Sequence, residues 1–184
     1  NAGGLGSGVV KLWDQLFKKK RLPESYSSIL VPVTGQLADE EAVKTACGMI
    51  ESSRGVLHIL YVIEIERIYP IDAEIKAATA KGEDVLRHME GIAGLYNCTT
   101  EAELIQARQA GSAIVHESIE KDADVVVMGI HKGQRFGEFS LGNTVPYVIK
   151  NAQCAVVLRR LAKPSTSTRH SKRPIDTTRI GSDA

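Results

Sequence analysis

The chain has 184 residues, of which 43% are hydrophobic and 24% charged, and its formal net charge is +1. This composition is typical of a globular domain with extensions, and it provides no overall field that would attract nucleic acid or a membrane. The three scattered cysteines form no CxxC pair, which argues against a zinc site or a disulfide framework. With no signal peptide and no long apolar run, we expect a cytoplasmic, metal-free protein.

Residues 1–27 are predicted to precede the folded domain. Asn1 and Ala2 resemble a cloning scar, so we interpret the chain as a possible excised piece of a larger protein. The segment VVKLWDQLFKKKR has its apolar residues at helical spacing and four consecutive cations at its end, and Pro23 stops the helix. Two interpretations stay open. The helix lies on a membrane surface, or, as we favour, it packs on this domain or on a partner subunit.

The predicted folded domain, residues 28–161, alternates apolar strands with helices. In chain order we predict strand 28–33, helix 38–50, strand 56–62, helix 73–96, strand 103–108, a helix that starts at 111–112 with Ser112 as its N-cap, strand 123–128, helix 143–151 and strand 154–158. Five such alternations predict an α/β domain with a parallel sheet wrapped by helices on both faces. Residues 162–184 are polar and poor in apolar side chains, and we predict a tail that binds a partner or a neighbouring subunit.

The carboxyl ends of the first and fourth strands are predicted to meet. In a sheet of this kind, ligands bind beyond the strand ends at the point where strand order reverses. The two loops at that point begin with Thr34-Gly35 and with the segment MGIHKGQRFGEFSLGNT, residues 128 to 144. We therefore predict a shared crevice there.

The second of these loops has the composition of an anion-binding loop. A glycine-rich connection that leads into a helix N-terminus presents backbone N–H groups to a phosphate. Here the glycines would allow close approach, the cations would supply charge, and the first helical residues would donate hydrogen bonds: Gly129, Gly133, Gly142, Lys132, Arg135, Asn143 and Thr144. The spacing matches neither GxxxxGK[ST] nor GxGxxG, so the pattern alone is a weak signal.

The order of the segments ILVPV, HILYV, DVVVMGIHKG and NAQCAVVLRR resembles the universal stress protein family from about Ile29 to Arg160. The resemblance implies a flavodoxin-like, doubly wound five-stranded parallel sheet of order 3-2-1-4-5. It also implies homodimers that pair through the last strand, here Ala155, Val156, Val157 and Leu158. Many members bind ATP or AMP through G-x2-G-x9-G-[ST], with an Asp after the first strand.

This sequence departs from that motif at three positions. Lys132 stands at the second glycine, Asn143 at the Ser or Thr, and Thr34 at the Asp. These departures favour either no ATP or a different anionic ligand. Carried over residue by residue, the resemblance and the loop together predict these nucleotide-binding positions: Pro32, Val33, Thr34, Val62, Met128, Gly129, His131, Lys132, Gly133, Arg135, Gly142, Asn143 and Thr144.

Three functions follow from the resemblance, and all three stay open. The first is a non-catalytic regulatory or sensory domain, homodimeric, that binds ATP, AMP or another adenine-containing anion. Domains of this family also occur appended to amino-acid permeases and cation antiporters, in which case the N-terminal helix is the connector to a membrane transporter. The second is a protein-interaction module whose nucleotide pocket is vestigial. The third is a slow nucleotide hydrolase, which we rank last because no base or metal-binding carboxylate is predicted at the crevice.

Overall fold

A computed structural model describes residues 25–51, 54–73, 75–130, 133–135 and 138–161, and for residues 133–135 and 138–140 it describes the backbone only. The predicted N-terminal helix, the C-terminal tail, His131 and Lys132 lie outside the described residues. The proposed domain limits at residues 27 and 162 stay predictions.

The described chain alternates strands and helices as predicted. The strands are β1 (Ser28–Val33), β2 (Val56–Glu64), β3 (Thr99–Ala107), β4 (Val125–Ile130), β5 (Gly133–Arg135), β6 (Glu138–Ser140) and β7 (Ala155–Arg160). The helices are α1 (Leu37–Met49), α2 (Lys76–Gly94), α3 (Ala110–Glu120) and α4 (Thr144–Asn151).

Five strands form one parallel sheet in the order β3-β2-β1-β4-β7. The predicted order 3-2-1-4-5 is therefore confirmed, with β7 as the fifth strand of the sheet. The valine-rich strands β1 and β4 are central, as expected of strands that are covered on both faces. β2 and β3 lie on one side of β1, and β4 and β7 lie on the other side. The strand order therefore reverses between β1 and β4.

The two faces of the sheet carry separate apolar clusters because successive side chains of a strand point to opposite sides. The closed face packs under α1 and α2, and its buried residues include Ile29, Val31, Leu57, Ile59, Val125, Val127, Ala42, Val43, Ala46, Leu86, Met89 and Ile92. The open face packs under α3 and α4, and its buried residues include Leu30, Leu60, Val126, Met128, Ile114, Val145 and Val148.

The structure corrects three sequence-based predictions. β3 starts at Thr99 and not at residue 103, because it pairs with β2 along nine residues and its polar first half is supported by that ladder. The N-cap of α3 is Gln109, so the prediction of Ser112 was wrong; the Ser112 hydroxyl donates back to the Gln109 carbonyl at 2.9 Å. The glycine loop contains an antiparallel hairpin, β5 and β6, that the sequence did not predict.

No helix among the described residues combines the length and the apolar character that a membrane crossing requires.

Candidate functional site

A cavity of about 280 Å³ opens at the carboxyl ends of β1 and β4. Its size is close to the lower end of the roughly 300–1,000 Å³ that is typical of small-molecule sites. Most of its walls belong to the open face of the sheet and to the helices that cover it. The lining residues are Pro32, Val33, Thr34, Asp39, Leu60, Val62, Ala110, Ile114, Met128, Gly129, Ile130, Leu141, Gly142, Thr144 and Val145.

The position of the cavity follows from the topology. β4 pairs with β7 along six residues, whereas β1 and β4 pair through Ile29–Val125 and Leu30–Val126, near the start of both strands. Pro32, two residues further on, has no backbone N–H to add to this ladder. The crevice therefore lies at the point where strand order reverses, as expected for open α/β sheets.

Asp39 organises the loop that forms one wall of the cavity. It lies in the first turn of α1, is 2% exposed, and its Oδ2 accepts four hydrogen bonds. Two come from Thr34, from the backbone N–H at 2.7 Å and from the hydroxyl at 2.9 Å. The others come from the backbone N–H groups of Gly35 and Gln36, both at 3.1 Å. The carboxylate thus fixes the β1–α1 loop and satisfies N–H groups at the start of the helix.

Two glycines are required at the cavity for different reasons. A Cβ on Gly129 would lie 2.6 Å from the backbone carbon and oxygen of Ala38 and 2.7 Å from Oδ1 of Asp39, so β4 and the first turn of α1 touch directly there. Gly142 has φ +65, a left-handed conformation that glycine adopts without a steric penalty, and it turns the chain into α4.

The end of β2 supports the opposite wall. Oε1 of Glu64 accepts a hydrogen bond from the backbone N–H of Ala110 at 2.7 Å, at the first residue of α3. Arg108 donates to the carbonyl groups of Ile65 at 3.2 Å and Glu66 at 2.6 Å. The sequence did not predict this contact of Glu64, which holds the start of α3 beside the cavity.

Most of the residues that line the cavity have apolar side chains. Among the described lining residues, Asp39 is the one with an ionisable side chain, and threonine hydroxyls supply the other polar side-chain groups. Such a space fits a largely apolar body that carries a few polar groups. Within the described part of the chain, no three His, Cys, Asp or Glu side chains are grouped so that they could hold a metal ion.

The structure brings most of the sequence-predicted site residues together. Those that line the cavity are Pro32, Val33, Thr34, Val62, Met128, Gly129, Gly142 and Thr144. Asn143 is the N-cap residue of α4, but its side chain makes no capping hydrogen bond, and it lines an adjacent depression beside Thr144. Gly133 and Arg135 lie in the backbone of β5. His131 and Lys132 lie outside the described residues, so their predicted roles stay predictions.

Several lining residues were missed by sequence reasoning. Leu60, Ile114, Ile130 and Val145 were not among the predicted site residues, since an apolar pattern does not distinguish a filled core from a cavity wall. Asp39 was also absent from the predicted site residues. The signal that would have found it is its place five residues after a threonine at a strand end, where a first-turn carboxylate can reach back to the loop.

The predicted dimer strand β7 forms one edge of the sheet. Ala155 is exposed, and Val156, Val157 and Leu158 are partly buried. Among the described strands, β7 has a neighbour on one side only, and such an edge presents backbone donors and acceptors to a partner.

Comparisons with known proteins identify the family. The model of the universal stress protein family matches residues 25–160. The chain is 24% identical to a universal stress protein of Methanocaldococcus jannaschii over 144 residues, which is 75% of this chain and 84% of that protein.

Two solved structures have a similar fold. A universal stress protein from Archaeoglobus fulgidus, in complex with dAMP, has a TM-score of 0.58 and 18% identity, over 73% of this chain and 98% of that one. A family protein from Arabidopsis thaliana, with AMP bound, has a TM-score of 0.57 and 18% identity, over 78% of this chain and 97% of that one. At these identities the likeness shows the fold alone. The family match itself extends over the whole α/β domain, from before β1 to the end of β7, and this chain belongs to the universal stress protein family.

Proposed function

We propose that this chain is a regulatory or sensory universal stress domain that binds an adenine nucleotide in the cavity between β1 and β4. The observation that carries the proposal is the position of the cavity: the loops after β1 and β4 form it together, at the reversal of strand order. The bound dAMP and AMP of the two similar structures support the choice of ligand.

The base of the nucleotide fits the apolar part of the cavity. Val62, Met128 and Ile114 supply apolar contact, and Thr34 and Thr144 supply hydrogen-bonding groups. The cavity volume of about 280 Å³ is small for a whole nucleotide, so the phosphate would extend toward the N-terminus of α4, where helix N–H groups and the dipole favour an anion.

Binding without hydrolysis is the function we favour. Asp39 is the ionisable side chain among the described lining residues, and its Oδ2 accepts four hydrogen bonds from the adjacent loop. A carboxylate held in this way is poorly placed to take a proton from an attacking water.

The test is a calorimetric titration with AMP, dAMP and ATP. Ala110, at the first turn of α3, lines the cavity and is partly buried. Ala110→Leu fills part of the space, and we expect it to weaken AMP binding roughly 5- to 150-fold, since overpacking by a few methylenes costs roughly 1–3 kcal/mol. The matched control is Ala80→Leu on the exposed side of α2, which should bind as the unaltered chain does. Absence of binding by the unaltered chain at millimolar AMP would favour the interaction module with a vestigial pocket.

The domain is also proposed to form a homodimer through β7. The exposed edge of that strand supports this, because strand addition would extend the sheet across two subunits. Sedimentation equilibrium should give a dimer for the unaltered chain and a larger monomer fraction for Ala155→Lys, which places a cation on the exposed edge. Ala80→Lys is the control, and an unchanged dimer in Ala155→Lys would oppose pairing through β7.

A further inference from the structure

Two of the three cysteines lie against the same part of the closed face. Cys47 is in the last turn of α1, directly after the buried Ala46, and Cys98 is in the turn between α2 and β3. Both helices return across a parallel sheet, so both end at the amino edge of the strands. Both cysteine side chains are partly buried and pack against the apolar cluster under these helices. The fold therefore brings together two thiols that are far apart in the sequence.

The two thiols are in contact and form a short chain of hydrogen bonds. The Cys98 thiol donates to the backbone carbonyl oxygen of Tyr96, with 3.9 Å between sulfur and oxygen. This leaves the Cys98 sulfur as an acceptor for the Cys47 thiol. Burial, with this hydrogen bond to Cys98 as the second cause, raises the pKa of Cys47 to about 12. Sulfur atoms in such contact have to approach by only about 2 Å to reach the length of an S–S bond.

The third cysteine lies on the other side of the sheet. Cys154, just before β7, packs against the open-face cluster, where its thiol contacts Ser118. The sheet lies between it and the pair formed by Cys47 and Cys98. Along the chain, however, Cys98 is almost as far from Cys47 as from Cys154, so an unfolded chain would form these two bridges at similar frequencies. Cys154 is therefore an internal control for any pairing that the fold selects.

We propose that Cys47 and Cys98 are a redox-sensitive modification site, a thiol pair that a peroxide oxidises to a disulfide between α1 and the turn before β3. This inference goes beyond the proposed nucleotide binding and does not depend on it. In the balanced reaction, two thiols and one molecule of hydrogen peroxide give one disulfide and two molecules of water. The two sulfur atoms lose the two electrons that reduce the O–O bond. A dithiol reverses the reaction by thiol–disulfide exchange and is itself oxidised to a disulfide.

Cys98 is the thiol that reacts first. It stands among the exposed residues Tyr96, Asn97 and Thr99, whereas Cys47, with its raised pKa, stays protonated and is a poor first nucleophile. The Cys98 thiolate attacks one peroxide oxygen, the O–O bond breaks and hydroxide leaves, which gives a sulfenic acid at Cys98. The Cys47 sulfur then attacks the Cys98 sulfur, the S–O bond breaks, and the hydroxyl leaves with the Cys47 proton as water. Because the two sulfur atoms are already in contact, this second step requires no encounter.

The test is oxidation of the folded full chain by hydrogen peroxide. The remaining thiols are then alkylated with iodoacetamide, and the peptides are mapped by mass spectrometry without reduction. The unaltered chain is compared with Cys47→Ser and Cys98→Ser, and Cys154→Ser is the matched control. The same oxidation of the unaltered chain in concentrated urea gives the pairing of the unfolded protein.

We expect the folded unaltered chain and Cys154→Ser to form the disulfide between Cys47 and Cys98, with the loss of two thiols that dithiothreitol restores. In urea, Cys98 should pair with Cys154 about as often as with Cys47. Cys47→Ser should accumulate a sulfenic acid at Cys98 that dimedone labels, and Cys98→Ser should keep Cys47 as a thiol.

Three results would overturn the proposal. The folded chain bridges Cys98 to Cys154 as often as to Cys47, or Cys98 is oxidised to a sulfinic acid while Cys47 keeps its thiol. The third is that both thiols survive in the folded chain at a peroxide concentration that bridges the unfolded one.

Discussion

The closed and open faces of the sheet are built from the same kinds of side chain. They differ in how these side chains are used: in a packed core on the closed face, and in both a core and a cavity wall on the open face. On the closed face, Ile29, Val31 and Val127 pack under α1 and α2 at 0% exposure. On the open face, the apolar layer under α3 and α4 continues toward the carboxyl ends of the strands as the wall of a cavity. The closed face therefore reaches the cavity only through Val33 among the described buried residues of its cluster, whereas the open face divides its residues between the core and a binding site.

The first prediction compares one methionine from each face. Met89 on α2 is 1% exposed within the closed face, and Met128 on β4 is 5% exposed and lines the cavity. We expect Met89→Ala to lower the free energy of unfolding by about 2–5 kcal/mol, since it opens a new void. Met128→Ala should cost less, about 1–2 kcal/mol, because the vacated space joins an existing cavity and mainly the transfer contribution is lost. Urea denaturation measures both, and equal losses would erase the distinction between the two faces.

The second prediction concerns the contact between the cavity and α1. Gly129→Ala should lower the free energy of unfolding by about 1–3 kcal/mol, because the added Cβ meets the backbone of Ala38 and cannot be relieved by a side-chain rotation. Gly91→Ala, on an open part of α2 with nothing within 4 Å, is the matched control and should raise stability by about 0.5–1 kcal/mol. Thermal unfolding of the two variants gives the comparison, and a Gly129→Ala protein as stable as Gly91→Ala would exclude the close packing of β4 on α1.

The third prediction, with the smallest expected effect, concerns the pH dependence of the free energy of unfolding. Its source is a histidine at the other end of the open face. His58, next to Leu60 on the open face, has a side chain that is 12% exposed, and its Nδ1 is 3.2 Å from Oε2 of Glu101 without hydrogen-bonding geometry. Burial lowers the pKa of His58, and the Glu101 carboxylate opposes this change. The nearby Lys121 also lowers it, and Glu103, which pairs with Lys121 at 2.9 Å, opposes it.

Because the folded state binds this proton more weakly than the unfolded state, stability should be fully present above the ordinary histidine pKa of about 6.5 and decline as the pH falls below it. Chemical denaturation between pH 7.5 and 5.5 should show this decline, and His58→Gln should reduce it. The His116 side chain is 69% exposed, and His116→Gln should leave the decline in stability unchanged. If the decline is the same in the unaltered chain and in both variants, His58 is not its source.

The architecture was predictable because the apolar runs of β1 and β4 and the helical stripes between the strands are strong periodic signals. What the sequence lacked was information about contacts across the chain. The run that ends in Met128 has the same pattern whether its side chains fill a core or border a cavity. Asp39 is a second example, since its hydrogen bond with Thr34 depends on where the end of β1 lies relative to the first turn of α1. The three-residue strands β5 and β6 were missed because segments that short carry no periodicity.

The central claim is that the open face, and not the closed one, receives an adenine nucleotide. The chain has three methionines, and they divide between the faces: Met49 and Met89 pack in the closed-face cluster, and Met128 lines the cavity. A titration with AMP, followed by NMR of ¹³C-labelled methionine methyl groups, therefore reports on both faces at once. We expect the Met128 signal to shift saturably with AMP while the Met49 and Met89 signals stay in place. Saturable AMP binding that leaves Met128 unmoved, or that shifts Met89 as much, would contradict the account.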